Sequence, residues 1–372
     1  MAARIKTLES QIAHAQYFTP TVPQGFAVHD VEKPADMRIA IRGNPYALGD
    51  TVKRGVLPVA SWSELPPIPA NQSGRVQLAD WLADTRNPFT ARVTVNRIWQ
   101  KLFGEGIVRS VDYFGVRGEV PTHPELLDHL ATRFVRGGWS QKQLIRNLVL
   151  SRAYRMSSMP NALAMAKDAD NRLLWRMNSW RLDAESIRDA MLAVSGRLAR
   201  SDGGPAMPLE YPENVTGLPP KGIIHPAFNL QKLRPIQDYE RTVYLPVIRT
   251  TTQPGSARLR DLFDFPQPAQ ITGKRSETAV PTQALFLLNS EMLRTRAQDL
   301  AQDLSKTTSN ALERLGQLWL RVLNRPITST ERAEAIAFLD TFSDHKKPEA
   351  ELAAWTELGR ALLASNEFLL RL

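Results

Sequence analysis

The stretch that decides the fold runs from residue 91 to residue 158 and reads ARVTVNRIWQKLFGEGIVRSVDYFGVRGEVPTHPELLDHLATRFVRGGWSQKQLIRNLVLSRAYRMSS. Within it, Thr122-His-Pro-Glu125 has the spacing of a capping box, in which a hydroxyl and a carboxylate satisfy each other's backbone amides at a helix start. Ser140-Gln-Lys-Gln143 repeats that spacing. Because Gly137-Gly138, a typical helix end, lies between the two boxes, the stretch predicts a helical hairpin.

Helical periodicity continues on both sides of this hairpin, and further signals mark helix starts. Asp183 precedes a predicted helix that Gly196 ends, and Thr328 with Glu331 resembles another helix start. Residues 241–249 alternate as a strand does. We therefore predict a mainly α, multi-helical domain with small β elements near the N-terminus and in the middle. The predicted helices cover residues 77–87, 91–103, 122–137, 140–149, 184–195, 281–289, 292–304, 310–323, 330–342 and 349–369.

The first 69 residues have a different character. Residues 1–18 have the spacing of a helix, residues 36–42 and 50–57 suggest a β hairpin around a Gly-Asn-Pro turn, and residues 65–69 form a Pro-rich linker. We interpret residues 1–69 as the tail of a preceding region and residues 70–372 as the helical domain.

Composition excludes several classes of site. The chain has no cysteine, so it forms no disulfide, no cysteine-ligated zinc site and no covalent haem attachment of its own. No apolar run approaches the roughly 20 residues that span a bilayer, and the first residues lack the apolar segment of a signal peptide. The net charge is +9, and residues 71–260 carry 27 Lys and Arg against 17 Asp and Glu. A basic middle can attract anions, or its charges, which are interleaved with acids, can be ordinary solvated helix faces. No nucleic-acid-binding motif is present, so we rank nucleic acid last among the partners.

Six segments carry a resemblance to a known family. They resemble the planctomycete-specific PSD-one domain, also catalogued as domain of unknown function fifteen-fifty-three, over about residues 70–372. The segments are RIAIRGNPYALGDTVKRG (38–55), NRIWQKLFGEGIVRSVDYFGVRGEVPTHPELLDHLA (96–131), RLDAESIRDAMLAVSGRL (181–198), RTVYLPVIR (241–249), FDFPQPAQITGKRSETAVPTQALFLLNS (263–290) and LLASNEFL (362–369).

The resemblance implies a periplasmic or extracellular protein. Members are typically the C-terminal part of longer exported proteins that carry a signal peptide, a c-type cytochrome domain and a further domain of unknown function. This chain lacks the cytochrome's Cys-x-x-Cys-His motif. We therefore expect a truncated or separately encoded C-terminal piece, or a wrongly assigned start, with haem c only in a partner or an upstream domain. The family has no established catalytic residues to carry over.

Two clusters contain side chains that can act as acids, bases or metal ligands. In the first, His123, Glu125 and Asp128 are catalytic candidates, and His123, Glu125 and His129 are candidate ligands for zinc, manganese or iron. The structural alternative is that Glu125 caps the helix and His129 is exposed. In the second, Glu185 and Asp189 share a helix face as a carboxylate pair for glycoside cleavage does, whereas an ion-pair network with Arg181 and Arg188 is the alternative.

Two further clusters suggest binding. Lys274 and Arg275, in the polar loop 272–278, can hold an anion, or the loop can pin a helix that begins near Thr282. Aromatic residues interleaved with arginine can stack on sugars or bases. We therefore take as candidate binding residues Arg97, Tyr113, Phe114, Arg181, Arg188, Lys274 and Arg275.

These observations leave three functional hypotheses. The first is a non-catalytic assembly or recognition module of an exported protein, with a c-type cytochrome domain or another exported protein as partner. The second is an enzyme that acts hydrolytically or oxidatively on polysaccharide, with a site around His123 and Glu185. The third is anion or nucleic-acid binding through the basic middle.

Overall fold

The protein is described by a computed structural model that covers residues 27–57, 67–199, 239–245, 247, 258–342 and 348–371, with short pieces at 4–5, 203, 209–210 and 234–235. The chain divides into two compact units, residues 1–90 and residues 91–372. The helix predicted over residues 1–18 lies outside the described residues, apart from Arg4 and Ile5.

Helices predominate, which confirms the mainly α fold, and the strands form short antiparallel pairs. The helices are α1 (Arg75–Ala83), α2 (Pro88–Phe103), α3 (Pro124–Arg136), α4 (Gln141–Val149), α5 (Ala162–Lys167), α6 (Ala184–Val194), α7 (Arg258–Leu262), α8 (Pro281–Asn289), α9 (Glu291–Thr307), α10 (Ala311–Leu323), α11 (Ser329–Phe342), α12 (Pro348–Leu363) and α13 (Asn366–Leu369). The strand pairs are β1 (Met37–Ala40) with β2 (Leu48–Val52), β3 (Trp180–Arg181) with β6 (Leu370–Arg371), and β4 (Leu209–Glu210) with β5 (Arg234–Pro235).

The first unit contains the predicted β hairpin. Its return strand, β2, begins at Leu48 rather than at Asp50 as predicted. The Ile41 amide donates to the Ala47 carbonyl at 2.8 Å, which closes the turn early and brings the second strand forward. The hairpin prediction is therefore confirmed with a shifted return strand.

The second unit begins with the predicted helical hairpin, α3 and α4, packed against α2. Val95 and Phe103 are fully buried in this first core, and Trp99 stacks on Phe103 with 3.9 Å between ring centres. Phe134 of α3 and Trp139 of the connection meet edge to face at 5.3 Å. Burial of such rings is the main stabilising contribution at this junction.

Of the two predicted capping boxes in this hairpin, the one at Ser140 is present as an N-cap bond. The Ser140 hydroxyl accepts a bond from the Gln143 amide at 3.3 Å. The box at Thr122 is wrong, because α3 begins at Pro124 and His123 holds the N-cap position without a side-chain cap bond. The Thr122 hydroxyl instead donates to the Ile107 carbonyl at 3.3 Å and lies 3.0 Å from Nδ1 of His123.

A second core gathers the C-terminal helices around α6. The long helices α9 and α12 pack against each other, and α10, α11 and α13 complete the layer. The predicted helix start at Thr328 is confirmed as a capping box: the Thr328 amide donates to Glu331 at 2.9 Å, and the Glu331 amide donates to the Thr328 hydroxyl at 3.3 Å. Fully buried members of this core include Ala184, Ile187, Met191, Leu259, Leu293, Ala297, Leu300, Leu315, Ala354 and Leu363.

Three local predictions are wrong here. Within the predicted strand 241–249, residues Thr242–Tyr244 form a 3₁₀ turn instead, because the Thr242 amide and hydroxyl both donate to Asp189. Asp183 holds the N-cap position of α6 but makes no cap bond. Helix α8 begins at Pro281, so Thr282 lies inside it, and the Gln283 side chain accepts a bond from the Val280 amide at 3.4 Å.

Among the described helices, none combines the length and the apolar character needed to cross a bilayer.

Candidate functional site

Two neighbouring pockets form a cleft in the second unit. The smaller, the His123 pocket, has a volume of about 170 Å³, and the larger, the Lys274 pocket, has a volume of about 460 Å³. Their walls share Glu105, Arg109 and Asn178. The His123 pocket is also lined by Trp99, Thr122, Leu126, Asn171, Arg172 and Leu174, and the Lys274 pocket by Gly104, Ser179, Trp180, Arg275, Ser276 and Glu277.

Glu105 lies at the centre of the cleft. The Lys274 ammonium donates to one of its carboxylate oxygens, and Nε of Arg109 lies 3.6 Å from the other. Two cations therefore face one carboxylate at the boundary between the two pockets. Both cations pair with the same acidic group. A ligand rich in hydrogen-bond acceptors that approached this point would therefore meet two donors close together.

The loop 272–278 forms one wall of the cleft and is anchored at its glycine. The Gly273 amide donates to Asp112 at 2.8 Å. A Cβ atom at position 273 would overlap the Asp112 carboxylate, so only glycine allows this approach. Lys274 then turns toward Glu105, and the next residue, Arg275, turns toward α6.

Arg275 and Glu185 form a two-pronged ion pair. The two terminal guanidinium nitrogens donate to the two carboxylate oxygens at 2.5 and 2.8 Å, and Asp183 lies 3.7 Å from the same guanidinium. Burial by itself would raise the pKa of Glu185, but the hydrogen bonds and charge of Arg275 outweigh it, and the pKa is lowered. The Glu185 carboxylate is therefore held ionised.

A second ion pair fixes the other end of the same loop. Arg181 donates to Asp264 at 2.6 Å and to the Thr278 carbonyl at 2.6 Å, and the Thr278 amide donates to Asp264 at 2.9 Å. Asp264 has a φ of +59°, in the left-handed region that non-glycine residues rarely adopt. Burial would raise the pKa of Asp264, but these bonds lower it. The polar loop is thus clamped at both ends.

Arg188 and Asp189 face away from this loop, toward residues 239–245. Arg188 is 1% exposed and donates to the Glu240 carbonyl at 2.8 Å and to the Thr242 hydroxyl at 3.1 Å. Asp189 accepts the Thr242 amide and hydroxyl at 2.7 and 2.6 Å. Glu185 and Asp189 therefore have different partners, although they are one helical turn apart.

Within the described part of the chain, the candidate metal ligands His123, Glu125 and His129 do not come together around a metal. His123 is half-buried and lines the smaller pocket, whereas Glu125 and His129 are exposed on α3. Asp128 pairs with Arg92 at 2.6 Å, and the Arg92 hydrogen bond lowers the pKa of Asp128. No three His, Asp or Glu side chains converge closely enough among the described residues to hold a metal ion.

The predicted aromatic and arginine residues are divided between surface and core. Arg97 is exposed on α2, and Tyr113 is 60% exposed on the loop that follows it. Phe114 packs against the first core. None of the three lines either pocket of the cleft.

Sequence reasoning missed most of the groups that line the cleft. Asn178 donates to the Phe103 carbonyl at 2.8 Å, and the Arg371 guanidinium carbon lies 4.6 Å from the centre of the Trp180 ring. The one usable signal was the pair Glu105 and Arg109, four residues apart with opposite charges. Much of the remaining cleft wall comes from residues 171–180 and 274–277, and no local pattern connects those segments with Glu105.

Comparisons with known proteins identify a family but no function. The model of the PSD1 family, described as a protein of unknown function (DUF1553), matches residues 74–339, which is more than two thirds of the chain. No curated protein matches significantly. No solved structure matches significantly either.

Proposed function

We propose that this chain, which belongs to the PSD1 family of proteins of unknown function, is a recognition or assembly module without a catalytic centre of its own. The observation that carries the proposal is the pairing of Glu185. Arg275 engages both of its oxygens and lowers its pKa. A general acid needs a pKa near the working pH, and the pairing moves the pKa of Glu185 in the opposite direction. A general base or nucleophile needs a carboxylate oxygen open to the substrate, whereas both oxygens of Glu185 accept bonds from Arg275.

The other carboxylate candidates support the same reading. Asp189 accepts two hydrogen bonds from Thr242, and Asp128 pairs with Arg92. Each of these acids holds a piece of the fold in place, and none lines the cleft. Recognition requires only a shaped surface with directed donors, which the cleft offers through Arg109, Lys274 and Asn178.

The proposed partner is an acceptor-rich surface of another exported protein. The family resemblance favours a c-type cytochrome domain, in a planctomycete-type protein that works in the periplasm or outside the cell. Haem would then belong to the partner or to an upstream domain, and the cleft of this chain would hold the two together. Guanidinium, ammonium and amide groups suit carboxylates and backbone carbonyls on such a partner.

The test uses the purified chain as bait in an extract of its native cells, with the bound fraction stained for haem. The cleft variant combines Arg109→Gln with Lys274→Gln, and the matched control combines Lys101→Gln with Arg294→Gln, two exposed cations elsewhere. We expect a haem-staining protein to be retained by the wild type and the control and lost by the cleft variant. Retention by all three, or by none, would contradict the proposal.

A second candidate, an enzyme acting on polysaccharide, rests on one observation. His123 is half-buried in the same pocket as Glu105, which supplies an imidazole and a carboxylate to one cavity. If this candidate is right, His123→Ala abolishes polysaccharide cleavage and leaves the melting temperature almost unchanged. A large fall in melting temperature would assign His123 a structural role.

A further inference from the structure

A second segment of the chain carries cations and no acidic residues. It is far in sequence from the polar loop 272–278. Between Asp128 and Asp168 the sequence contains seven Lys and Arg and no Asp or Glu. All seven of these cations are exposed, and the six that precede helix α5 have no carboxylate partner within the described residues. We call this set the basic hairpin surface; it consists of Arg133, Arg136, Lys142, Arg146, Arg152 and Arg155.

Helix geometry places four of these cations in pairs on exposed faces of the hairpin helices. Arg133 and Arg136 are three residues apart on α3, and Lys142 and Arg146 are four apart on α4, so each pair shares a helix face. The opposite faces are buried through residues such as Phe134 in α3 and Leu144 and Leu148 in α4. The exposed charges therefore project from a framework that packing holds in place.

Ordinary helix electrostatics explains only part of this pattern. Arg133 and Arg136 lie in the last turn of α3, where cations complement the exposed carbonyl groups. Lys142 lies in the first turn of α4, where the helix dipole disfavours a positive charge. Arg146 lies in the last turn, where the dipole favours it, but it is a like charge one turn from Lys142. A bound anion would relieve both unfavourable arrangements.

The uncharged side chains that lie among the cations in the sequence indicate the class of partner. Thr132, Gln141 and Gln143 are exposed and offer neutral hydrogen-bonding groups. Ile145, 39% exposed, is the single large apolar side chain exposed on the described α3 and α4 helices, whereas stable protein interfaces need an apolar centre. Single-stranded nucleic acids gain affinity from stacking platforms, but Trp139 packs edge to face against Phe134.

We propose that the basic hairpin surface binds an acidic polysaccharide, a polymer that repeats carboxylate or sulfate groups between hydroxyl-rich sugars. Exposed arginines pair with both kinds of oxyanion through two parallel hydrogen bonds. The glutamine and threonine side chains between them suit sugar hydroxyls. This activity is independent of the proposed cleft function, because the hairpin cations line neither pocket.

The test measures binding of the full chain to heparin as a sulfated probe and to polygalacturonate as a carboxylated one, at several salt concentrations. Neutral dextran and single- and double-stranded DNA serve as comparison polymers. The hairpin variant combines Arg133→Gln, Arg136→Gln, Lys142→Gln and Arg146→Gln. The matched control makes the same charge change at four other exposed cations, with Lys101→Gln, Arg294→Gln, Lys306→Gln and Arg332→Gln.

We expect the hairpin variant to lose roughly tenfold or more in affinity for an acidic polysaccharide and to show a shallower salt dependence, because fewer counterions are released. The control should change by less than about twofold. Equal losses in both variants, or none in either, would overturn the proposal. Tighter binding to DNA than to either polysaccharide would overturn the assignment of the partner.

A single substitution separates binding from folding. Lys142→Glu places an acid in the first turn of α4, where it favours the helix, so the fold should be kept or stabilised. Affinity for heparin should nevertheless fall. If Lys142→Glu binds heparin as the wild type does, the surface is not the binding site.

Discussion

Arg275 places its two terminal nitrogens on the two carboxylate oxygens of Glu185, at 2.5 and 2.8 Å, across 90 residues of sequence. The pair joins the polar loop 272–278 to helix α6 and leaves each side chain only about a quarter exposed. Such a pair positions a loop more than it stabilises a fold, because burial of each charge offsets much of the attraction.

Breaking this pair from one side should destabilise the second unit. We expect Arg275→Ala to lower the free energy of unfolding by about 2 kcal/mol, because the half-buried Glu185 loses its charged hydrogen bonds. Urea titration measures the change, and Arg294→Ala, at an exposed site, is the control. In the double variant with Glu185→Gln, the two losses should be less than additive; full additivity would show that the residues do not interact.

The pair of Arg275 and Glu185 should also make the free energy of unfolding depend on pH in the acid range. The pKa of Glu185 in the folded protein lies below its ordinary value of 4.5, so the folded state binds fewer protons there than the unfolded chain. Its contribution to the unfolding free energy is complete above the ordinary pKa and is lost as the pH falls through the lowered one. The difference between wild type and Glu185→Gln should therefore shrink as the pH falls from about 6 to about 3.

Thermal melts at matched pH values measure this difference, and Glu334→Gln, at an exposed position in the interior of α11, is the control. Its stability curve should run parallel to that of the wild type. A constant gap between wild type and Glu185→Gln across the acid range would mean that the carboxylate charge is not what stabilises the pair.

Two glycine substitutions should have opposite effects. Gly273→Ala introduces a Cβ that overlaps the Asp112 carboxylate, so either the loop or the Asp112 side chain must move and the bond between them is weakened, at a cost of about 1–3 kcal/mol. Gly316 lies inside helix α10 with no heavy atom near the position of a Cβ, so Gly316→Ala should stabilise the protein by up to about 1 kcal/mol. Melting temperatures should therefore move down for the first and up for the second.

Two threonines near helix starts should also differ. Thr328→Ala removes a capping box on α11 and should lower the unfolding free energy by about 1 kcal/mol. Thr282 lies one position inside α8 and is exposed, so Thr282→Ala should change stability by less than about 0.5 kcal/mol. Chemical denaturation of the two variants side by side makes the comparison, and equal losses would contradict the cap assignment.

The helical hairpin and most C-terminal helices were predictable because periodicity and caps are local. Thr122 shows the limit of local patterns. Its hydroxyl donates to the Ile107 carbonyl, fifteen residues away, so the capping box predicted from local spacing does not form. The cleft was largely hidden for the same reason, since Lys274 meets Glu105 across 169 residues. Composition and spacing report which charges are present, but not which of them fold together.

The pairing of Trp180 and Arg181 with Leu370 and Arg371 bears on the order in which the protein is made. About 190 residues separate the two strands, and a ribosome that adds 5–20 residues per second needs roughly 10–40 s to produce them. During that interval the Trp180 indole lacks the guanidinium that covers it in the finished molecule. The first core can assemble while translation continues, whereas the second is incomplete until Phe368 and Leu369 are made. Chaperone binding over that period would keep the exposed apolar residues of the second core from aggregating.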